Sequence, residues 1–422
     1  MPEAPSGIRS ILVAGGGMSG LSAALEAAEA GIQVYIVEKE PYLGGRVAHM
    51  NRYFPKLCPP QCGLEINFRR IKNNPLIRFF TLSTVESVRG TAGDFDVTIR
   101  TSPRYVNEKC TACGSCQAAA STQIPDQFNL GLSTVKAAYL PHEFAFPLRY
   151  VLSPEILGTE EAERIRSACP AGAVDLAMQP HRFELKVGAV IWATGWNPYD
   201  ATKIPYYGLG KHKNVVTNLM MERLASFGGP TAGRISRPSD GEAVKRVAFI
   251  QCAGSRDENH LPYCSGVCCM ASLKQASYVL EQNPEAHVSI FYIDIRTPGK
   301  FEDFYRKVLE DGRVAFIKGK PGEITEDPKT GAVTVQVEDQ SAGQVLRESF
   351  DLVVLATGMV PTAKGESLPI ELARDEYGFI LPEQSVPGIV AAGCARTPSD
   401  VATSVQDATA AALRAIQATA RR

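Results

Sequence analysis

The sequence predicts an α/β protein built from two Rossmann-type units, with a small cysteine-rich module inserted into the first. Three observations carry that prediction. Residues 11–38 read as strand, glycine turn, small-residue helix and second strand; residues 245–295 repeat the order; and Ala-Thr-Gly closes an apolar strand twice, at 193–195 and 356–358. Near residues 104–182 helix and strand periodicity disappear, and cysteine, proline and aromatic residues take over.

The first unit carries the most legible motif. Its apolar run 11–14 stops at three glycines, of which Gly15 and Gly17, with Gly20, fit G-x-G-x-x-G. The first makes the turn, the second lets a pyrophosphate approach the backbone, and the third lets helix and strand pack closely. A diphosphate then meets the helix N-terminus, where unpaired N–H groups and the helix dipole favour negative charge. Glu38, eighteen residues after Gly20, can accept both ribose hydroxyls. Glycines alone also suit a plain turn; the flanking strand and helix and the spaced acid favour nucleotide binding.

Composition narrows the class. The 422 residues are 45% apolar and 21% charged with a net charge of −1, which indicates neither a nucleic-acid-binding polycation nor an acidic tail. No run approaches the ~20 apolar residues that span a bilayer. The opening MPEAPSGIRS lacks the basic-then-apolar order of a signal peptide, so a soluble, cytoplasmic protein is expected. Eleven cysteines fall into groups: 58 and 62; 110, 113, 116 and 169; 252, 264, 268 and 269; and 394 alone. In a large cytosolic α/β chain, such grouping points to metal or redox chemistry rather than a disulfide scaffold.

After Glu38, Gly44, Gly45 and Arg46 give a flexible turn and a cation close to the nucleotide phosphates, or an ordinary surface loop. Cys58 and Cys62, stiffened by Pro59 and Pro60, suit a redox disulfide, a structural or cofactor-lining role, or metal ligation. Residues 76–100 alternate apolar and polar (Phe95, Val97, Ile99), as half-buried strands do. A helix is expected at about 266–282 and an alanine-rich one at about 400–420. These signals divide the chain into a nucleotide-binding domain (1–103, 183–243 and 351–422), the insertion (104–182) and a second Rossmann-like domain with a cysteine motif (244–350).

Within the insertion, Cys110, Cys113 and Cys116 open a bacterial ferredoxin run whose fourth cysteine position is Ala120. Downstream, Cys169-Pro170 ends a second run whose three earlier positions are Thr159, Ala162 and Ile165. In a two-cluster ferredoxin, one cluster takes the first three cysteines of run one and the last of run two. The sequence has therefore kept one ligand set, Cys110, Cys113, Cys116 and Cys169, and lost the other entirely. A four-thiolate zinc site and an empty module retained as a surface are the alternatives.

Cys252 stands where the second nucleotide fold needs the first glycine of its phosphate loop, and only Gly254 is present beside it. Asp294, near Arg296, is a less certain counterpart of the ribose-binding acid. Cys252, Cys264, Cys268 and Cys269 instead place four thiols around the turn and the first helical residues, suiting a [4Fe–4S] cluster or buried small side chains. Lys274, one turn beyond Cys269, either reaches toward a flavin or lies exposed.

Several stretches together resemble the A subunit of heterodisulfide reductase: VAGGGMSGLSAA, NRYFPKLCPPQCG, KCTACGSC, the stretch from PDQFNLGL through KAAYLP to PLRYVL, VGAVIWATGW, CAGSRDENHLPYCSGVCCMASLK, and VAAGCA followed by SVQDA. The likeness covers essentially the whole chain. It implies a thioredoxin-reductase-like flavoprotein core, a homodimer, and passage of electrons between FAD and [4Fe–4S] clusters in a complex with B- and C-type subunits. By position it implies that FAD is lined by Gly15, Gly17, Met18, Ser19, Gly20, Glu38, Lys39, Gly44, Gly45, Arg46, Val85, Ala193, Thr194, Gly195, Gly393 and Cys394. The two cysteine sets then ligate one or two clusters, and Lys274 lies near the flavin.

The sequence also departs from the long methanogen-type subunits. It is expected to be a short form without their extra N-terminal cluster domain and C-terminal ferredoxin region, like those of sulfur-oxidising bacteria; fewer relay centres argue against electron bifurcation. The competing enzyme reading is a self-sufficient NAD(P)H-dependent flavin disulfide reductase using Cys58 and Cys62. A non-catalytic scaffold with empty sites is the third.

Overall fold

The computed structural model describes residues 9–365, 367–381 and 386–420. The chain forms two compact units, Met1–Trp196 with Pro361–Arg422, and Asn197–Val360.

The first unit is layered on a five-stranded parallel sheet in the order Ile389–Ala391, Ala189–Trp192, Ser10–Ala14, Gln33–Val37, Ile77–Phe80. The central strand Ser10–Ala14 is buried at every position because both faces are covered, which is why it reads as an unbroken apolar run. On one face, helix Met18–Glu29 presents Ala23, Ala24, Ala27 and Ala28 to the sheet core. Helix Val401–Ala420 joins the same core through Ala408, Ala411, Ala412 and Ala415, the i, i+3, i+4, i+7 spacing of one helical face. On the other face lies an antiparallel meander, Ser83–Thr91, Asp94–Thr101 and His181–Val187, with Phe95, Val97 and Ile99 fully buried. The alternation read from the sequence is this meander.

The insertion interrupts the meander and builds its own small core from Val106, Cys116, Ala120, Ala138, Tyr150, Leu152, Ile156, Ala162, Ile165 and Ala173. Its helices are Ser115–Ala119 and Glu160–Ser167, accompanied by two short antiparallel strand pairs. Aromatic rings tie it to the nucleotide fold: Phe146 stacks on Phe68 at 4.9 Å, and Phe128 on His49 at 4.3 Å. A buried guanidinium, Arg104, adds hydrogen bonds to the Pro41 carbonyl, to Thr81 Oγ1 at 3.0 Å and to the Arg149 carbonyl at 3.2 Å. Burial pulls it down to about 10 from the ordinary arginine value, with Arg149 beside it adding to the effect.

The second unit repeats the plan. Its parallel sheet runs Val215–Thr217, Leu352–Thr357, Arg246–Ala253, His287–Tyr292, Val314–Lys318, with a meander formed by Glu323–Glu326, Val333–Asp339 and Gln344–Phe350. Helix Cys268–Gln282 follows the central strand, close to the 266–282 expected. The two Ala-Thr-Gly segments lie at matching places, each at the end of the strand that follows a meander and pairs with the central strand. The unit is wider than the 244–350 read from the sequence, because Val215–Thr217 and Leu352–Thr357 pair in its sheet rather than in the first. Those short, uniformly buried strands carry no periodicity that assigns them to one sheet or the other.

Candidate functional site

In the first unit only Gly15, Gly16 and Gly17 separate the central strand from its helix. Gly15 has φ +110°, and a Cβ there would lie 2.3 Å from the Ala193 carbonyl oxygen, so the Ala-Thr-Gly segment crosses directly over the turn. A Cβ on Gly20 would lie 1.9 Å from the Gly15 carbonyl oxygen, so this glycine is what lets helix and strand touch. Gly17 differs: its nearest atom would be Gly45 Cα at 3.7 Å. The second glycine loop lies against the first, with the Gly44 amide donating to the Gly16 carbonyl at 2.8 Å and a bridge pairing Gly17 with Gly44. Two backbones thus form a cradle with no side chain between them.

That cradle fits a diphosphate. Gly17 is the N-cap of helix Met18–Glu29 with no side-chain cap, and the first turn holds no acidic residue, so the helix N–H groups await an anion. Thr194 Oγ1 is buried without a hydrogen-bond partner, a costly state that a ligand oxygen would relieve. Glu38 is buried, and its two oxygens accept from the Gly16 amide at 2.6 Å and the Glu40 amide at 2.8 Å. Each keeps a lone pair for a ribose hydroxyl. Burial raises the pKa of this carboxyl above 4.5, opposed by the Glu40 and Gly16 amides.

The other residues expected at this site lie in the same unit. Ser19 lies against Gly393, where a Cβ would lie 2.0 Å from the hydroxyl oxygen, and the Gly393 amide donates to Asp407 Oδ2 at 2.7 Å. Asp407 also holds Arg396 at 2.5 Å; it belongs to the SVQDA segment, where no spacing or motif marks it out. Arg46 Nε donates to the Trp196 carbonyl at 3.2 Å, one residue past Gly195. Met18 opens the helix, Lys39 is exposed after Glu38, Val85 sits at a bulge of the meander, and Cys394 is buried with its sulfur 3.4 Å from the Ser399 carbonyl. Cys58 is half-buried and Cys62 exposed, and both are free thiols.

In the insertion, Cys110, Cys113, Cys116 and Cys169 line one pocket, together with Val106, Tyr150 and Ala173. Backbone amides point at two of the sulfurs, from Ala112 to Cys110 at 3.4 Å and from Ala173 to Cys169 at 3.3 Å. Such donors are a recurring feature of thiolate-held clusters. Burial pushes the Cys116 thiol up to about 11, and the Cys110 and Cys169 thiols beside it add to the effect. The lost ligand positions are filled instead: Ala120, Ala162 and Ile165 are buried in the small core, and Thr159 caps helix Glu160–Ser167 by accepting from the Ala162 amide at 3.4 Å.

The second unit has no diphosphate cradle. Fourteen residues, 254–267, stand between its central strand and helix where the first unit has three. The strand ends in a bulge with Cys252 at φ +55°, and Met270 takes the helical place corresponding to Gly20, so a dinucleotide does not fit. Cys252, Cys268 and Cys269 are buried and Cys264 half-buried. Burial pushes the Cys269 thiol up to about 11 and raises Cys252 and Cys268 as well. Among the described residues no group of three or more His, Cys, Asp or Glu is placed to hold a metal ion.

Lys274 is neither exposed nor isolated. Its ammonium lies 3.0 Å from Glu222 Oε1, with both side chains buried, and Glu222 also accepts from Gln275 at 2.6 Å and Tyr278 at 3.3 Å.

Proteins of known name match nearly the whole chain. Over 97% of its length it is 39% identical to a CoB–CoM heterodisulfide reductase iron–sulfur subunit of the A type from Methanopyrus kandleri. Over 96% it is 40% identical to the corresponding protein of Methanocaldococcus jannaschii. It is homologous to the A subunit of heterodisulfide reductase. The chain spans 63–64% of the length of these relatives, just under two thirds. A family model described as FAD dependent oxidoreductase matches residues 10–56, the strand, turn, helix, strand and second glycine loop. The fold is that of thioredoxin reductase: the Lactococcus lactis enzyme aligns over 97% of this chain and 99% of its own with a TM-score of 0.54 at 15% identity. The Thermoplasma acidophilum enzyme aligns over 97% of each with a TM-score of 0.52 at 17% identity. No helix among the described residues is long and apolar enough to cross a membrane.

Proposed function

We propose that this chain is the flavin-carrying electron-transfer subunit of a heterodisulfide-reductase-like complex, with FAD in the first unit and one [4Fe–4S] cluster on each four-cysteine set. One observation carries the reading: of two copies of one fold, the first keeps an open, uncapped diphosphate cradle and the second has exchanged it for four cysteines. Bound in the first unit, FAD supplies a centre that takes electrons in pairs and releases them singly. The protein's part is to hold it: the glycine cradle and helix N-terminus take the diphosphate, Glu38 the ribose, and Arg46 and the segment from Ala193 to Gly195 the rest. Thiol and disulfide chemistry is then assigned to B- and C-type partner subunits in sulfur metabolism, and the chain to a homodimer. Lys274 enters only through the family likeness, as a residue near the flavin, with its ammonium paired to Glu222.

The test is FAD, iron and sulfide content per chain on anaerobically prepared protein, followed by addition of NADH or NADPH. FAD with about eight irons is expected, with no bleaching at 450 nm, because the second unit has no place for a nicotinamide nucleotide. Rapid bleaching would favour the self-sufficient disulfide reductase using Cys58 and Cys62, and absence of iron would remove the relay.

Glu38 gives this reading a pH signature. Its raised pKa means the carboxyl takes a proton at milder acidity than a solvated glutamate. The ionised form is the one that accepts two ribose hydroxyls, so FAD affinity should fall as pH drops through the mildly acidic range and recover above it. Flavin fluorescence release against pH measures this, and Glu38→Gln should bind more weakly at neutral pH with the acid-side fall flattened. An unchanged pH profile in that variant would remove Glu38 from the site.

A further inference from the structure

The two units put the end of their second strand to different uses. In the first, Glu38 follows strand Gln33–Val37 and holds the nucleotide turn. In the second, strand His287–Tyr292 runs into Asp294 and Arg296. Asp294 Oδ1 lies 2.5 Å from Arg256 Nη1 and 3.4 Å from Arg296 Nε, so one carboxylate clamps two guanidinium groups. Arg256 comes from the long loop after the central strand and has φ +56°, a left-handed conformation that a side chain of this size rarely adopts.

Both guanidinium groups face the four-cysteine set. Arg256 lies beside Cys252. Arg296 lies beside Cys264. The backbone closes the arrangement, with Cys269 Sγ 3.8 Å from the Asp294 carbonyl oxygen. Two cations against one carboxylate leave a net positive charge at the rim of four thiols.

We propose that Arg256 and Arg296, clamped by Asp294, form a cationic lip that raises the reduction potential of a cluster held by Cys252, Cys264, Cys268 and Cys269. This rests on the cluster reading above. A cubane on four thiolates is a dianion when oxidised and a trianion when reduced, so a fixed cation stabilises the reduced form more. Hydrogen bonds to the sulfurs act in the same direction.

The experiment is a dithionite titration of the full chain, prepared anaerobically and followed by low-temperature EPR, with iron content measured in parallel. Arg296→Ala is expected to keep its iron and move the midpoint of one cluster signal to lower potential. Arg296→Lys should move it less, and Asp294→Asn, which removes a negative charge, should move it upward. The signal that disappears in Cys110→Ala should not shift in any of the three. Unmoved midpoints, shifts of one sign in Arg296→Ala and Asp294→Asn, or loss of iron from both Arg296 variants would each overturn the proposal. Iron content in Cys252→Ala equal to that of the wild type would instead sink the cluster reading itself.

Discussion

Gly17→Ala is expected to leave the chain folded and to cost it most of its FAD affinity. The two properties separate at this glycine and not at its neighbours. A Cβ on Gly15 or Gly20 meets backbone at 2.3 or 1.9 Å, so substitution there attacks the fold before it attacks the site. A Cβ on Gly17 meets nothing nearer than Gly45 Cα at 3.7 Å, an ordinary contact, and Gly17 has φ −79°, which alanine adopts freely. What the methyl group does occupy is the face of the cradle between the two glycine loops, where a diphosphate must approach the helix N-terminus. Displacement from those N–H groups should weaken binding about ten- to hundredfold, roughly 1.4–2.8 kcal/mol. FAD titration of the apoprotein checks it against an unchanged melting temperature without flavin. Full FAD affinity would show that the diphosphate lies elsewhere.

Cys252→Ala and Cys110→Ala should each halve the iron, from about eight per chain to about four, and the double variant should hold none. The prediction is sharper than a count because the two sets differ in their surroundings. Cys110 belongs to a pocket whose thiols receive N–H groups from Ala112 and Ala173 and whose companion cluster position is packed with Ala120, Ala162 and Ile165. Reintroducing cysteines at Ala162 and Ile165 should therefore disturb packing without restoring a third cluster. Cys252 belongs to a strand-end bulge in a unit whose helix starts with two further cysteines, Cys268 and Cys269. Iron and sulfide analysis on anaerobic protein decides both. Iron unchanged in either single variant would mean that the corresponding set is not a ligand set.

Much of this was legible in one dimension, and the reason is local. A phosphate turn, the strand before it and the helix after it are contiguous, so Gly15, Gly17, Gly20 and Glu38 announce themselves by spacing. The ferredoxin-like run is equally compact, and the coherent absence of cysteine at Ala120, Thr159, Ala162 and Ile165 can be counted directly. What those positions became, three packed side chains and a helix cap, is a matter of tertiary burial.

Other features needed the fold because their partners are far apart in the chain. Lys274 looks like an exposed helical lysine until the helix packs beside Asn218–Ala225 and brings Glu222 to 3.0 Å. Asp294 reads only as an uncertain counterpart of the ribose-binding acid until the fold carries Arg256 to it across thirty-eight residues. Thr194 comes to the Gly15 turn and Gly393 to Ser19 only because parallel strands from three parts of the chain end at one edge of one sheet. Residue type and spacing by themselves determined which local groups have the chemistry to hold a nucleotide or a cluster. Long-range strand pairing and burial alone decided which of them share a site and which charges stand beside it.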